Sequence, residues 1–260
     1  MTETLDVEAI GRVEVSFTER GTGHPIVLLH GGAGPMSVVP WAELLARTRP
    51  ARVITPTHPG FMATPRPDTL RDVRGLARVY AALMRKLELD RATIIGNSVG
   101  GWIAAELALL APALISNVVL VDAVGIAVEG HPVADVFSLS LDELSRLSYY
   151  DPSRFRIDPS KLTPEQRAAV AANFATLRVY GGNMTDPALR ERLHAIASPT
   201  LVVWGEADRV ADAEYGRAFA QAIPGSRFQL LAGTGHVPQI ETPQLLADTV
   251  WPFIAQATHD

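Results

Sequence analysis

The chain has 260 residues, 47% of them apolar, enough to bury the core of one large α/β domain. It has no cysteine, which excludes disulfides, thiolate metal sites and a cysteine nucleophile, so any chemistry must run on oxygen or nitrogen. The formal net charge is -5 and the basic residues are scattered, which argues against nucleic acid as a partner.

The first eight residues, Met-Thr-Glu-Thr-Leu-Asp-Val-Glu, are acidic and lack the basic and apolar regions of a signal peptide. No apolar run approaches the ~18 residues needed to span a bilayer, so the expectation is a cytoplasmic chain without a membrane partner. Residues 10–20 alternate apolar and polar with period two and turn at Gly21-Thr-Gly23, the pattern of an antiparallel edge strand. Near-continuous apolar runs follow at 25–30, 52–55, 92–96, 117–122, 200–205 and 226–231. Helical spacing lies between them at 41–48, 70–87, 100–110, 211–222 and 243–256. This alternation predicts an α/β fold with a doubly wound, mostly parallel sheet.

Residues 125–197 interrupt the rhythm. They show no strand pattern, only helical pieces at 139–147 and 164–179, punctuated by Asp151-Pro152, Asp158-Pro159 and Gly181-Gly182. An insertion of this length must sit outside the sheet. The predicted organisation is a core of 1–124 and 198–260 with a helical cap at 125–197 that is not an independent domain. Residues 258–260 read as a frayed end, and the sequence is compatible with a monomer or a homodimer.

Gly96-Asn97-Ser98-Val99-Gly100 joins a predicted strand to a predicted helix, the context in which G-x-S-x-G presents a serine on a sharp turn. A serine needs a base, normally a histidine oriented by a carboxylate. Of the seven histidines, His236 follows the last predicted strand in Gly233-Thr-Gly-His236-Val-Pro and can reach over Ser98. His58, in Thr57-His-Pro-Gly-Phe61, reads as a solvated turn residue. For the acid, Asp208 in Glu206-Ala-Asp208-Arg-Val is the first choice. Glu206 is weaker, and Asp122, which otherwise reads as a cap at a strand end, is the geometric rival. The turn His30-Gly31-Gly32-Ala33-Gly34-Pro35 follows a strand at the same sheet edge, so the backbone N–H groups of Gly32 and Val99 are the candidate oxyanion donors. The glycine run lacks phosphate-loop spacing and no His-x-x-x-His pair occurs, so neither a cofactor nor a metal is expected.

Together, His-Gly-Gly at 30–32, Gly-Asn-Ser-Val-Gly at 96–100, Trp-Gly-Glu-Ala-Asp at 204–208 and Gly-His at 235–236 resemble the α/β-hydrolase superfamily, over almost the whole chain. The resemblance implies the α/β-hydrolase fold and a Ser98, Asp208, His236 triad in that chain order. Within the superfamily, Gly-Asn-Ser-x-Gly-Gly looks like the meta-cleavage-product hydrolases, which cut C–C bonds, and Asn97 matches their asparagine. Two departures stand against that subgroup. Val237-Pro238 follows the histidine where an aromatic residue is usual, and Thr57-His58-Pro-Gly-Phe-Met62 replaces a turn that often carries Asp and a second glycine.

The expected activity is therefore hydrolysis of a small, largely apolar ester or lactone through an acyl-enzyme, ahead of C–C hydrolysis. A non-hydrolytic lyase or oxygenase and a ligand sensor are the rivals from other classes. Expected substrate contacts are Gly31, Asn97, Trp102, Phe137 and Tyr149, with Leu139, Leu144, Leu147, Tyr150 and Phe174 as further lining candidates.

Overall fold

A computed structural model describes residues 1–155 and 158–256. In chain order the elements are β1 (Thr2–Val7), β2 (Gly11–Arg20), β3 (His24–Leu29), α1 (Val39–Thr48), β4 (Ala51–Pro56), α2 (Val73–Lys86), β5 (Ala92–Asn97), α3 (Val99–Leu110) and β6 (Ile115–Val121). There follow α4 (Leu141–Ser148), α5 (Pro152–Phe155), α6 (Pro164–Gly181), α7 (Leu189–Arg192), β7 (Thr200–Gly205), α8 (Ala213–Gln221), β8 (Arg227–Leu231), α9 (Pro238–Glu241) and α10 (Pro243–Gln256). The frayed end expected at 258–260 lies outside the described residues. No helix among the described residues is long and apolar enough to cross a membrane.

The sheet order is β1-β2-β4-β3-β5-β6-β7-β8. The β1–β2 and β2–β4 pairs are antiparallel and the others parallel, so β2 is antiparallel as its alternating pattern predicts, but β1 takes the edge place expected for it. In β2 the period of two carries Val13, Val15 and Phe17 inward while Arg12 and Glu14 face water. Its partner β1 is absent from the sequence reading, because only Leu5 and Val7 alternate inward among charged and hydroxyl residues. The central parallel strands are buried on both faces: every residue of β5, β6 and β7 is buried, which explains their continuous apolar runs, whereas the edge strand β8 buries only Leu231 fully. One core joins the sheet to α2, α3 and α8, and the other packs α1 and α10 on the opposite face.

Between β6 and β7 lie four of the helices. Two begin with capping boxes that the sequence writes as S-x-x-E and T-x-x-Q: Ser140 with Glu143 before α4, and Thr163 with Gln166 before α6. This segment is tied to the core at both flanks. Along α6, Asn173 Oδ1 accepts the Met62 N–H at 3.0 Å, Thr176 Oγ1 donates to Gly60 O at 3.0 Å and Tyr180 Oη donates to Pro59 O at 2.7 Å. At α7, Arg192 makes a two-pronged ion pair with the buried Glu106 of α3 at 2.7 and 2.6 Å, and Asp186 takes a further 2.8 Å bond.

Parallel register sets the position of the site. Leu29 pairs with Gly96, Asn97 with Val121, Val121 with Val203 and Gly205 with Leu231. The carboxyl ends of β3, β5, β6, β7 and β8 therefore finish together, and the turns carrying His30, Ser98, Asp122, Asp208 and His236 emerge at one edge.

Candidate active site

Ser98 stands between β5 and α3 with φ 54 and ψ -119, a conformation that L-residues rarely hold. The turn survives because its neighbours have no side chain. A Cβ on Gly96 would lie 2.1 Å from Gly100 O, and one on Gly100 would lie 2.3 Å from Leu29 O. Four backbone bonds fix the bend: Ser98 N–H donates to Val121 O at 2.9 Å, while Ser98 O accepts from Gly101 at 2.9 Å and from Trp102 and Val124 at 3.3 Å each.

The side chains predicted to act together do converge. Ser98 Oγ lies 3.0 Å from His236 Nε2, and His236 Nδ1 lies 2.8 Å from Asp208 Oδ2. Nδ1 donates to the carboxylate, so Nε2 of the neutral ring is free to accept from the serine hydroxyl. Asp208 is oriented by its own loop, with Oδ1 accepting the N–H of Val210 at 2.7 Å and of Ala211 at 3.1 Å. Glu206, the weaker candidate, turns away and accepts the Gly233 N–H at 3.2 Å. Asp122 does cap a neighbouring strand end, as its other reading expects. It is fully buried, accepts the Gly205 N–H at 2.8 Å and lies beside Asp208.

Two groups that the sequence reading missed hold these loops. The last carbonyls of α4 accept from both: Leu147 O from Arg209 N–H at 3.1 Å and Ser148 O from His236 N–H at 2.7 Å. These are orphan acceptors of a helix end, used here to brace neighbouring turns. Glu241 then gathers the N–H groups of Tyr150, Asp151 and Gly235 at 3.1, 3.0 and 2.7 Å, joining the chain after α4 to the residue before His236. Neither was legible, because α9 is a four-residue helix and carbonyl placement leaves no trace in residue type.

The turn after β3 rests on a buried pair of histidines. His30 and His58 stack with ring centroids 3.6 Å apart, so His58 is a core residue and not the solvated one expected. Its burial reflects dense bonding. Nε2 donates to His30 O at 2.8 Å, Nδ1 accepts from Tyr80 Oη, and His58 N–H donates to His30 Nε2 at 3.1 Å. His30 Nδ1 donates to Gly31 O at 2.7 Å. Burial is the main reason both rings stay neutral. It pushes His30 well below the ordinary histidine range, with the repulsion that two protonated rings would feel second, and lowers His58 to about 4.

The unfolded chain takes up the His58 proton near the ordinary value of 6.5, and the folded chain only near 4. The stability carried by this ring is complete above pH 6.5 and lost as pH falls toward 4. Urea unfolding of wild type and His58→Asn should show a stability gap that widens by about 3 kcal/mol from pH 4 to 6.5. A gap independent of pH would contradict the neutral, buried ring.

Above Ser98 opens a cavity of ≈ 180 Å³, floored by Gly31, Gly32, Asn97, Ser98 and His236. The segment after β6 supplies Val133, Val136, Leu141, Leu144, Tyr149, Val170, Asn173, Phe174, Leu177 and Met184, and no lysine or arginine is among the described lining residues. Of the expected contacts, Gly31, Asn97, Tyr149, Leu144 and Phe174 line it. Trp102 and Phe137 do not. The Trp102 ring packs over Gly125 and Gly181, because the first turns of α3 face the protein interior. Phe137 and Leu139 line an adjoining crevice that shares Val136, Leu141, Val170 and Phe174 with the cavity, with the Arg178 guanidinium 4.6 Å from the Phe137 ring centre. Tyr150 is exposed, and Leu147 borders neither space. Asn97 Nδ2 donates to Gln239 Oε1 at 2.9 Å, a wall partner on α9.

Comparison with known proteins agrees with this architecture. A sequence profile of the alpha/beta hydrolase family matches residues 26–249. The chain is 30% identical to a 2-hydroxy-6-oxo-2,4-heptadienoate hydrolase of Pseudomonas putida, covering 94% of each chain. It is 28% identical to a 2-hydroxy-6-oxo-6-(2'-aminophenyl)hexa-2,4-dienoic acid hydrolase of Metapseudomonas resinovorans, over 95% of this chain and 89% of that one. Among solved structures, a thermophilic esterase from Thermogutta terrifontis superposes with a TM-score of 0.80 at 24% identity, covering 99% of both chains. Fold, motif order and full-length similarity together make this chain a member of the alpha/beta hydrolase family.

Proposed function

We propose that the protein is a serine hydrolase that cleaves a small, neutral, largely apolar ester or lactone through an acyl-enzyme. The observation that carries this reading is the Ser98–His236–Asp208 hydrogen-bonded line at the floor of an apolar cavity without a lysine or arginine among its described lining residues. In this reading the segment after β6 is a cap over the reacting bond.

His236 Nε2 takes the Ser98 proton as Oγ attacks the carbonyl, and Asp208 stabilises the imidazolium that forms. The oxyanion is held by the N–H groups of Gly32 and Val99, neither of which has an acceptor within the chain among the described residues. Val99 opens α3, so the positive end of that helix faces the same oxygen. The imidazolium then gives its proton to the leaving alkoxide. A water activated by the same nitrogen releases the acyl group and restores Ser98.

The relatives named as dienoate and dienoic acid hydrolases favour a second reading, C–C hydrolysis. Those names describe carboxylates, and an apolar wall without a cation disfavours burying a free carboxylate. The experiment is a direct comparison of p-nitrophenyl butyrate with a 2-hydroxy-6-oxo-2,4-dienoate. A kcat/KM at least about 100-fold higher on the ester is expected, equivalent to the cost of one poorly compensated buried charge. A preference for the dienoate would replace the ester reading with the C–C one.

A further inference from the structure

At the inner end of the Ser98–His236–Asp208 line stands a fourth polar side chain. Asp122 follows β6 and is 0% exposed. Its Oδ1 accepts the Gly205 N–H at 2.8 Å, whereas its Oδ2 is buried without a donor among the described residues. One side-chain donor atom from each of Asp122, Asp208 and His236 lies within 4.8 Å of the other two. The Asp122 backbone is held at φ 45, a left-handed conformation that a residue with a side chain keeps only where its surroundings enforce it. Its N–H is anchored to Val203 O at 3.0 Å.

Two carboxyl groups this close, away from water, do not both ionise. Their surroundings decide which keeps the proton. Asp208 accepts three N–H donors, from Val210, Ala211 and His236, and Asp122 accepts one. Burial, then the Asp208 charge, pushes the Asp122 carboxyl well above the ordinary carboxylate range, and only the Gly205 N–H opposes them. Apart from the His236 ring, Asp208 has no basic side-chain partner among the described residues. A cation held by the same three groups is disfavoured, because His236 Nδ1 carries the hydrogen bonded to Asp208 and has no lone pair to offer.

We propose that Asp122 is a positioning residue that stands as the neutral acid and donates its Oδ2–H to the Asp208 carboxylate, extending the line to Ser98–His236–Asp208–Asp122. The proposal rests on the role given to Asp208 above. Asp122 touches no reacting atom. It fixes the carboxylate that fixes the imidazole, and it supplies the donor that a buried anion needs for its remaining lone pairs.

The primary test is infrared difference spectroscopy of resting wild type against Asp122→Asn at neutral pH, in light and heavy water. A carbonyl stretch of a neutral carboxylic acid, shifted in heavy water and missing from the variant, is expected. A difference containing only carboxylate bands would overturn the proposal. Kinetics give a second reading. Asp122→Asn keeps an acceptor for Gly205 and an N–H for Asp208, so kcat should fall less than about fivefold, whereas Asp122→Leu removes the donor and should cost about 10- to 100-fold in kcat at nearly constant KM.

Without the fourth donor, Asp208 accepts more strongly from His236. The low-field proton resonance of His236 Nδ1–H should therefore move further downfield in Asp122→Leu and stay near its wild-type position in Asp122→Asn. A loss in Asp122→Asn as deep as in Asp208→Asn would overturn the proposal by making Asp122 the charged acid. If Asp122→Leu does not fold, the infrared comparison decides alone. Fluorophosphonate labelling of wild-type Ser98 checks the underlying triad separately, since the infrared band needs no turnover.

Discussion

Replacing Ser98 by alanine is expected to lower kcat on p-nitrophenyl butyrate by about 10⁴- to 10⁶-fold, leaving only the rate that oxyanion stabilisation and substrate binding supply without a nucleophile. The fold should not change, because the backbone at 98 is set by Gly96, Gly100 and the bonds to Val121, Gly101 and Val124, none of which uses the hydroxyl. Among the described residues its side chain has one polar partner, His236 Nε2 at 3.0 Å, so removing it strands no other buried group. Near-unchanged unfolding midpoints and lost fluorophosphonate labelling should accompany the loss of turnover. Retained turnover in Ser98→Ala would remove the acyl-enzyme mechanism and return the site to proton-transfer chemistry on His236.

Asp208→Asn is the second large effect, and its sign follows from which oxygen does what. Oδ1 is committed to the N–H groups of Val210 and Ala211, and Oδ2 faces His236 Nδ1. An asparagine that keeps the first two bonds must present its NH₂ to the ring. Nδ1 then becomes the acceptor and the hydrogen moves to Nε2, where it blocks uptake of the serine proton. A drop of about 10⁴-fold in kcat is expected, with KM little changed because Asp208 does not line the cavity. A loss carried by KM would instead mean that the residue shapes substrate binding.

Much of this site was readable from residues because it depends on turns at sheet edges. Ser98 carries a five-residue signature whose glycines report a steric demand, Asp208 follows a strong apolar run, and His236 follows a weaker strand, Arg227–Leu231, that alternates polar and apolar residues. Chain order admits Asp122, Glu206 and Asp208 alike, and it is the bond to His236 Nδ1 that singles out Asp208. What stayed hidden depends on three-dimensional neighbours. His58 and Tyr80 are 22 positions apart, Asn97 and Gln239 are 142 apart, and no periodicity links either pair. Trp102 and Phe137 were misassigned because an aromatic near a catalytic motif looks the same in sequence whether its helix faces the cavity or the interior. The strand β1 failed for the opposite reason: two inward residues are too short a pattern to detect.

The carbonyls of Leu147 and Ser148 carry one more implication. Substrate preference in such a molecule invites engineering by exchanging the segment between β6 and β7 for that of a relative. Yet the backbone that would be exchanged accepts the N–H of His236 and of the residue after Asp208. A chimera that matches cavity residues but ends its first helix one position early would arrive with a well-shaped pocket and a misaligned base. The segment between β6 and β7 and the turns carrying Asp208 and His236 share a backbone seam, and a successful transplant must carry the seam with it.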